Sequence, residues 1–90
     1  MSAERILKIV NEKGLHARAS ARFVEVVEKF DAEAEVEKDG MSVSGDSIMG
    51  LLMLAASRGS EIVVRTEGAE AEPLMRALAD LVENRFGESM

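Results

Sequence analysis

The chain of 90 residues carries 17 acidic and 11 basic side chains, a formal net charge of −6, and so lacks the basic surface typical of nucleic-acid binding. It has no cysteine and one histidine, which excludes disulfides and leaves only carboxylates for a transition-metal site, so we expect neither metal nor cofactor. No segment resembles a signal peptide or approaches the roughly 20 apolar residues of a membrane span. We therefore expect a single cytoplasmic domain over residues 1–90 with no membrane partner.

The N-terminal part of the chain predicts a strand, a loop and a helix. Residues 5–10 are rich in β-branched side chains and are followed by a polar break at 11–14. From Ala17 onward, apolar residues recur three and four apart, which indicates an amphipathic helix. Its predicted buried face consists of Ala19, Phe23, Val26, Val27 and Phe30.

The next segment predicts a β-hairpin. Residues 32–37 alternate between apolar and charged side chains, and residues 41–44 continue the alternation. Asp39 and Gly40 between them form a dipeptide that favours a tight turn. Two strands therefore pair here in antiparallel fashion.

The C-terminal half predicts a short helix, a strand and a longer helix. Ser47 is placed to cap an apolar helix from residue 48 to about 56, and residues 61–66 form a fourth strand. Pro73 lies in the first turn of the last helix, where a missing amide is tolerated. The predicted buried stripe of that helix is Leu74, Leu78, Leu81 and Val82.

These elements follow one another in the order β-α-β-β-α-β-α. Such an order packs as an α+β fold, a two-layer α/β sandwich in which a four-stranded antiparallel sheet carries three helices on one face. The sheet face covered by the helices forms the core, and the other face is left to solvent.

The junction between the first strand and the first helix is the candidate functional site. His16 lies there, with Gly14 before it and Arg18 two residues after it. Imidazole is nucleophilic near neutral pH, while first-turn amides, here those of Ala17 and Arg18, and a guanidinium hold phosphate. The pattern predicts a phosphoryl group carried covalently on His16 and held by Arg18.

Two other interpretations of His16 stay open on the residues alone. A lone histidine in a loop is commonly a surface residue or a helix cap. His16 and Arg18 could also hold an anionic metabolite without a covalent bond, although the seven glycines include no phosphate-loop pattern.

Two segments resemble the signatures of a known family. Residues 14–20, Gly-Leu-His-Ala-Arg-Ala-Ser, and residues 47–54, Ser-Ile-Met-Gly-Leu-Leu-Met-Leu, are similar to those of HPr, the phosphocarrier of the bacterial phosphotransferase system. The resemblance implies an HPr-like fold and a phosphocarrier rather than an enzyme. It further implies that the δ nitrogen of His16 accepts phosphate from enzyme I, itself charged by phosphoenolpyruvate, and passes it to an enzyme IIA-type acceptor. A small carrier of this kind is expected to be a monomer.

The resemblance also gives Ser47 and the helix after it a role. Ser47 matches the position that HPr kinase/phosphorylase modifies in many relatives, so the alternative function is an interaction module regulated at Ser47. Asp46 stands where many of those relatives have lysine. Ile48, Met49 and Leu52 resemble the family's partner-binding patch.

Three departures point to a branch of the family. Ala19 replaces a usual proline, and Glu25 and Glu28 stand where sugar-transport members often have lysine. Together with the tail at 84–88, these residues look more like the nitrogen-related, NPr-like carriers. We therefore predict a regulatory rather than a sugar-transporting role.

Not every apolar residue of the short helix is assigned to the partner-binding patch. Leu51 and Leu54 are predicted to be buried in the core.

Overall fold

Four strands and three helices make up the chain in a computed structural model that describes residues 1–90. The strands are β1 (Ser2–Lys8), β2 (Glu33–Lys38), β3 (Met41–Ser44) and β4 (Glu61–Glu67). The helices are α1 (Ala17–Glu28), α2 (Ile48–Met53) and α3 (Ala71–Glu83), followed by a 3₁₀ turn at Arg85–Gly87. The predicted element order is confirmed.

The sheet is antiparallel throughout, with the strand order β1-β4-β2-β3. Strand β4 is the last along the chain but lies between β1 and β2, so most of its pairing joins residues far apart in sequence. The predicted hairpin is present, with Lys38 opposite Met41 next to the turn. None of the helices is both long and apolar enough to cross a membrane.

One face of the sheet packs against the helices. Alternate residues of β2 and β4 point into this layer and are buried, because side chains on a strand alternate between the two faces. They join a cluster of 20 buried apolar residues to which all three helices contribute, and Phe23 of α1 and Leu78 of α3 are fully buried there. This shared core thereby holds α1, and with it the start of the helix, in a fixed position.

The other face of the sheet is acidic and centres on Arg65. Its guanidinium donates to Glu4 at 3.1 Å, Glu35 at 3.2 Å and Glu37 at 2.8 Å. The hydrogen bonds that Arg65 donates to Glu37 and Glu4 raise the pKa of its guanidinium despite some desolvation. One cation on β4 therefore offsets the repulsion among three glutamates contributed by β1 and β2.

Two elements, β1 and α2, have boundaries that differ from the sequence predictions by more than one residue. Strand β1 occupies residues 2–8 rather than 5–10, and Ile9 instead pairs with the loop before β4, accepting from Gly59 N at 2.7 Å and donating to Ser60 O at 2.9 Å. Helix α2 ends at Met53 rather than near residue 56, because Ala55 adopts a left-handed conformation with φ of 51° that cannot continue a helix. The end of β1 and the end of α2 are thus both set by contacts with the loops around the candidate site.

The buried helix faces are also rotated from those predicted. In α1, Val24 and Ser20 are buried and Val26 is only half-buried. Phe30, predicted as part of this face, lies beyond the end of the helix and is half-buried. Helix α1 contacts both α2 and α3, so its buried stripe turns toward its neighbours. In α3, Leu81 is half-buried, and the residues missed by the prediction are the buried Ala71, Met75 and Ala79.

Candidate functional site

His16 is the N-cap residue of α1. Its backbone is extended, with φ of −79° and ψ of −175°, and its carbonyl accepts from Ser20 N at 2.8 Å, the first hydrogen bond of the helix. Its Nδ1 accepts from Arg18 N at 3.2 Å. A backbone amide can only donate, so Nδ1 carries a lone pair, and that lone pair faces the positive end of the helix.

A tight loop on Gly14 sets the position of the histidine. Gly14 has φ of +67°, and its amide donates to Asn11 O at 3.2 Å. The next residue, Leu15, is buried and donates to Ala56 O at 2.9 Å. The loop is thus attached to the end of α2, which places His16 beside the segment that follows that helix.

The other ring nitrogen of His16 is held by the C-terminal tail. Nε2 hydrogen bonds to Oε2 of Glu88, and the second carboxylate oxygen of Glu88 accepts from Asn11 Nδ2 at 3.0 Å. The same Asn11 nitrogen donates to Gly14 O at 2.8 Å. Since Nδ1 is an acceptor, the proton of the neutral ring lies on Nε2, where Glu88 can accept it.

The environment of Glu88 favours its charged form. Burial alone would raise the pKa of its carboxyl, but hydrogen bonds from Asn11 and His16, with the charges of His16 and Lys13, lower the pKa below the usual range. A lowered pKa means that this carboxylate stabilises the fold at pH values above the ordinary carboxyl range. That contribution is lost as the pH falls through the lowered pKa.

Arg18 has a free guanidinium. Its side chain is exposed and makes no hydrogen bond or ion pair. It lines one open cavity with both His16 and Glu88; the remaining lining residues are Glu12, Lys13, Ala17, Ser89 and Met90. No group of three or more metal-binding side chains occurs in the chain. The cavity therefore offers an anion two cationic side chains that form no ion pair, those of Arg18 and Lys13.

Ser47 caps α2, and apolar side chains follow it. Ser47 Oγ accepts from Gly50 N at 3.0 Å. Ile48 and Met49 are exposed, Leu52 is half-buried, and Met53, which the sequence prediction omitted, is 65% exposed. Burial of Leu51 and Leu54 in the core is confirmed.

A shallow depression connects this helix to the histidine. Leu52 and His16 both line it; the other residues around it are Lys13, Leu15, Ala55, Ala56 and Ser57. The ring of His16 thus lies between a polar cavity and an apolar surface.

Comparison with known proteins identifies the family. The family model described as "PTS HPr component phosphorylation site" matches residues 3–84. The chain belongs to the HPr family. As such it is a phosphocarrier of the phosphotransferase system and not an enzyme.

Several HPr proteins are similar along nearly their whole length. The phosphocarrier protein HPr of Neisseria meningitidis is 48% identical over 82 residues, covering 91% of this chain and 92% of that one. HPr of Xylella fastidiosa is 44% identical over 85 residues, covering 94% and 96%. The crystal structure of HPr-C-His from Thermoanaerobacter tengcongensis matches with a TM-score of 0.93 at 41% identity, covering 98% of this chain and 99% of that chain. The HPr-like fold is confirmed.

Two residues of the site were not found from the sequence. The sequence places Asn11 only in a polar loop, and Glu88 only in a tail characteristic of one HPr branch. They are 77 positions apart, and no local pattern connects them. The one sequence signal for this fully buried asparagine is its position three residues before Gly14, in the turn that precedes His16.

Proposed function

We propose that Nδ1 of His16 carries the phosphoryl group, which it receives from phosphoenolpyruvate-charged enzyme I and passes to an enzyme IIA-type acceptor. The supporting observation is the orientation of the ring, whose unprotonated nitrogen faces the first amides of α1 while the proton lies on the opposite nitrogen. We further propose a cytoplasmic monomer of the nitrogen-related branch. The monomeric state is to be distinguished from that of one relative, since a structure from Thermoanaerobacter tengcongensis at 43% identity is described as an HPr dimer.

The transfer step follows from this geometry. The lone pair of Nδ1 attacks phosphorus, an N–P bond forms, and the bond from phosphorus to the donor breaks with its electron pair leaving on the donor. Nδ1 can then no longer accept from Arg18 N, so this amide becomes available to a phosphoryl oxygen. The amide of Ala17, also in the first turn, is a second donor. The acceptor step reverses these changes.

The function can be tested by intact mass spectrometry after the protein is mixed with enzyme I and phosphoenolpyruvate. We expect the mass of one phosphoryl group to be added and brief acid treatment to remove it, since a phosphoramidate bond is acid-labile. No added mass with an active cognate enzyme I would contradict the proposal.

We propose that the free guanidinium of Arg18 holds the transferred group. The variant Arg18→Ala is expected to accept phosphate about 10- to 100-fold more slowly, because a charge-assisted donor to the phosphoryl oxygens is lost. The control is Arg76→Ala, which removes the same charge from the exposed side of α3. Stopped reactions analysed by mass measure both rates, and equal rates in the two variants would refute the role.

Regulation at Ser47 is a second candidate function, favoured by the position of this cap at the edge of the exposed residues Ile48 and Met49. A phosphate added there, for example by HPr kinase/phosphorylase, would lie at the positive end of α2 and would change the charge beside the proposed partner patch of Ile48, Met49 and Leu52.

Two substitutions of Ser47 separate its roles. Ser47→Ala is expected to lower the free energy of unfolding by about 1 kcal/mol, because Gly50 N loses its acceptor. Ser47→Asp keeps a good N-cap and should retain that stability while weakening binding to enzyme I. Urea unfolding and calorimetric titration measure the two effects. If Ser47→Asp binds enzyme I as the unchanged protein does, Ser47 is a structural cap and no more.

A further inference from the structure

The C-terminal tail is built to hold one carboxylate over the histidine. Phe86 is fully buried, and its carbonyl accepts from Arg22 Nη1 at 2.8 Å. Arg85 and Phe86 both have positive φ, of 57° and 55°, a conformation that L-residues rarely adopt. Glu88 N then donates to Arg85 O at 2.9 Å. Packing and hydrogen bonds thus maintain an unfavourable backbone conformation whose effect is to direct Glu88 toward the ring.

Asn11 fixes the carboxylate of Glu88 from the other side. The asparagine is fully buried, and its side-chain nitrogen bridges Gly14 O, at 2.8 Å, and Glu88 Oε1, at 3.0 Å. Both oxygens of Glu88 are therefore in use, and its side chain is 17% exposed. Because Gly14 belongs to the loop that positions His16, one asparagine aligns both the loop and the carboxylate.

We propose that Glu88 is a positioning residue for phosphoryl transfer, which keeps the ring proton of His16 on Nε2 and balances the positive charge that the ring gains when Nδ1 is phosphorylated. The proposal rests on Nδ1 being the acceptor. Formation of the N–P bond uses the lone pair of Nδ1 while the proton stays on Nε2, so the ring becomes cationic. Glu88 contacts the nitrogen that bears this proton.

No other charged side chain near the ring is placed to fill this role. The charged side chains lining the cavity around the ring are those of Glu12, Lys13, Arg18 and Glu88. Of these, only Glu88 bonds to the ring through its side chain. Glu88 also lies outside residues 3–84, the part of the chain matched by the family model. Glu12 is exposed and makes no hydrogen bond through its side chain, which makes it a matched control.

The kinetic test compares Glu88→Gln with Glu12→Gln, which remove the same charge from the same cavity. We expect Glu88→Gln to lower the maximal rate of phosphoryl acceptance about tenfold, equivalent to about 1.4 kcal/mol, with little change in the enzyme I concentration giving half the maximal rate. Glu12→Gln should stay within about twofold of the unchanged protein, and Glu88→Asp should recover part of the rate. Equal maximal rates in the two glutamine variants would overturn the proposal. So would an effect of Glu88→Gln that is confined to the enzyme I concentration giving half the maximal rate.

A spectroscopic test is independent of phosphoryl transfer. In the unphosphorylated protein, proton NMR should show a Nε2–H signal of His16 protected from exchange with water, and Glu88→Ala should lose it while thermal unfolding confirms that the variant is folded. If the unchanged protein shows no such signal, the contact is absent and Glu88 has no positioning role. If the signal is present and lost as expected but the unchanged protein takes no phosphate, the proposed function fails while the hold on the tautomer stands.

Discussion

Replacing His16 with asparagine is expected to abolish phosphoryl acceptance while leaving α1 intact. Asparagine is among the preferred N-cap residues, so its side-chain oxygen can accept from the free amides of the first turn, as Nδ1 does from Arg18 N. It has no nucleophilic nitrogen, and no other histidine exists in the chain. Intact mass after incubation with enzyme I and phosphoenolpyruvate should show no addition.

The companion variant is His16→Ala, which removes both the nucleophile and the cap. It should also accept no phosphate, but it should be less stable than His16→Asn by about 1 kcal/mol in urea unfolding. Phosphate on His16→Asn that acid removes would place the acceptor elsewhere and would refute the assignment. Loss of acceptance in a variant that has unfolded would prove nothing, so circular dichroism of both variants accompanies the mass measurement.

Gly14→Ala is expected to cause the largest loss of stability among the substitutions considered. A Cβ at this position would lie 2.5 Å from Ala56 O and 2.9 Å from Ser57 Cα, and the φ of +67° is itself unfavourable for alanine. The clash is with backbone, which cannot rotate away. We expect the free energy of unfolding to fall by about 2–4 kcal/mol, and phosphoryl acceptance to slow in the folded fraction because the loop carrying His16 must shift.

Gly40→Ala separates the two causes. Gly40 also has a positive φ, of 83°, but a Cβ there would meet nothing within 4 Å. Gly40→Ala should lower the free energy of unfolding by about 1–2 kcal/mol, from backbone strain alone, and should leave phosphoryl acceptance unchanged. Urea unfolding of both variants gives the comparison. Equal destabilisation would show that the approach of Gly14 to Ala56 is not a constraint, and the excess expected for Gly14→Ala measures the clash.

The features found correctly from the sequence are those with local causes. The alternation of residues 32–37 and the Asp39-Gly40 turn specify the hairpin, because both are set by neighbouring residues. The start of α1 directly after His16 and the capping of α2 by Ser47 likewise depend on residues within one turn of each other. Family resemblance then added the chemistry that spacing alone left open.

The features missed depend on contacts between distant segments. Strand β1 takes its register from β4, and the end of α2 is fixed where Ala56 O accepts from Leu15 N. The buried faces of α1 and α3 turn toward their neighbouring helices, so helical periodicity gave the right elements with a partly wrong set of core residues, as Val24 and Val26 show.

The sequence by itself thus determined the order of the elements, the place of His16 at a helix start and the presence of Arg18 beside it, since local propensity and capping act over a few residues. Only the tertiary structure decided which ring nitrogen of His16 is free. That choice depends on Glu88 and Asn11, which lie far apart in the chain and meet only because the core holds the tail and the loop together. Hydrogen bonds between residues far apart in the chain produce no periodic pattern in the sequence, so they can be identified only from the folded structure.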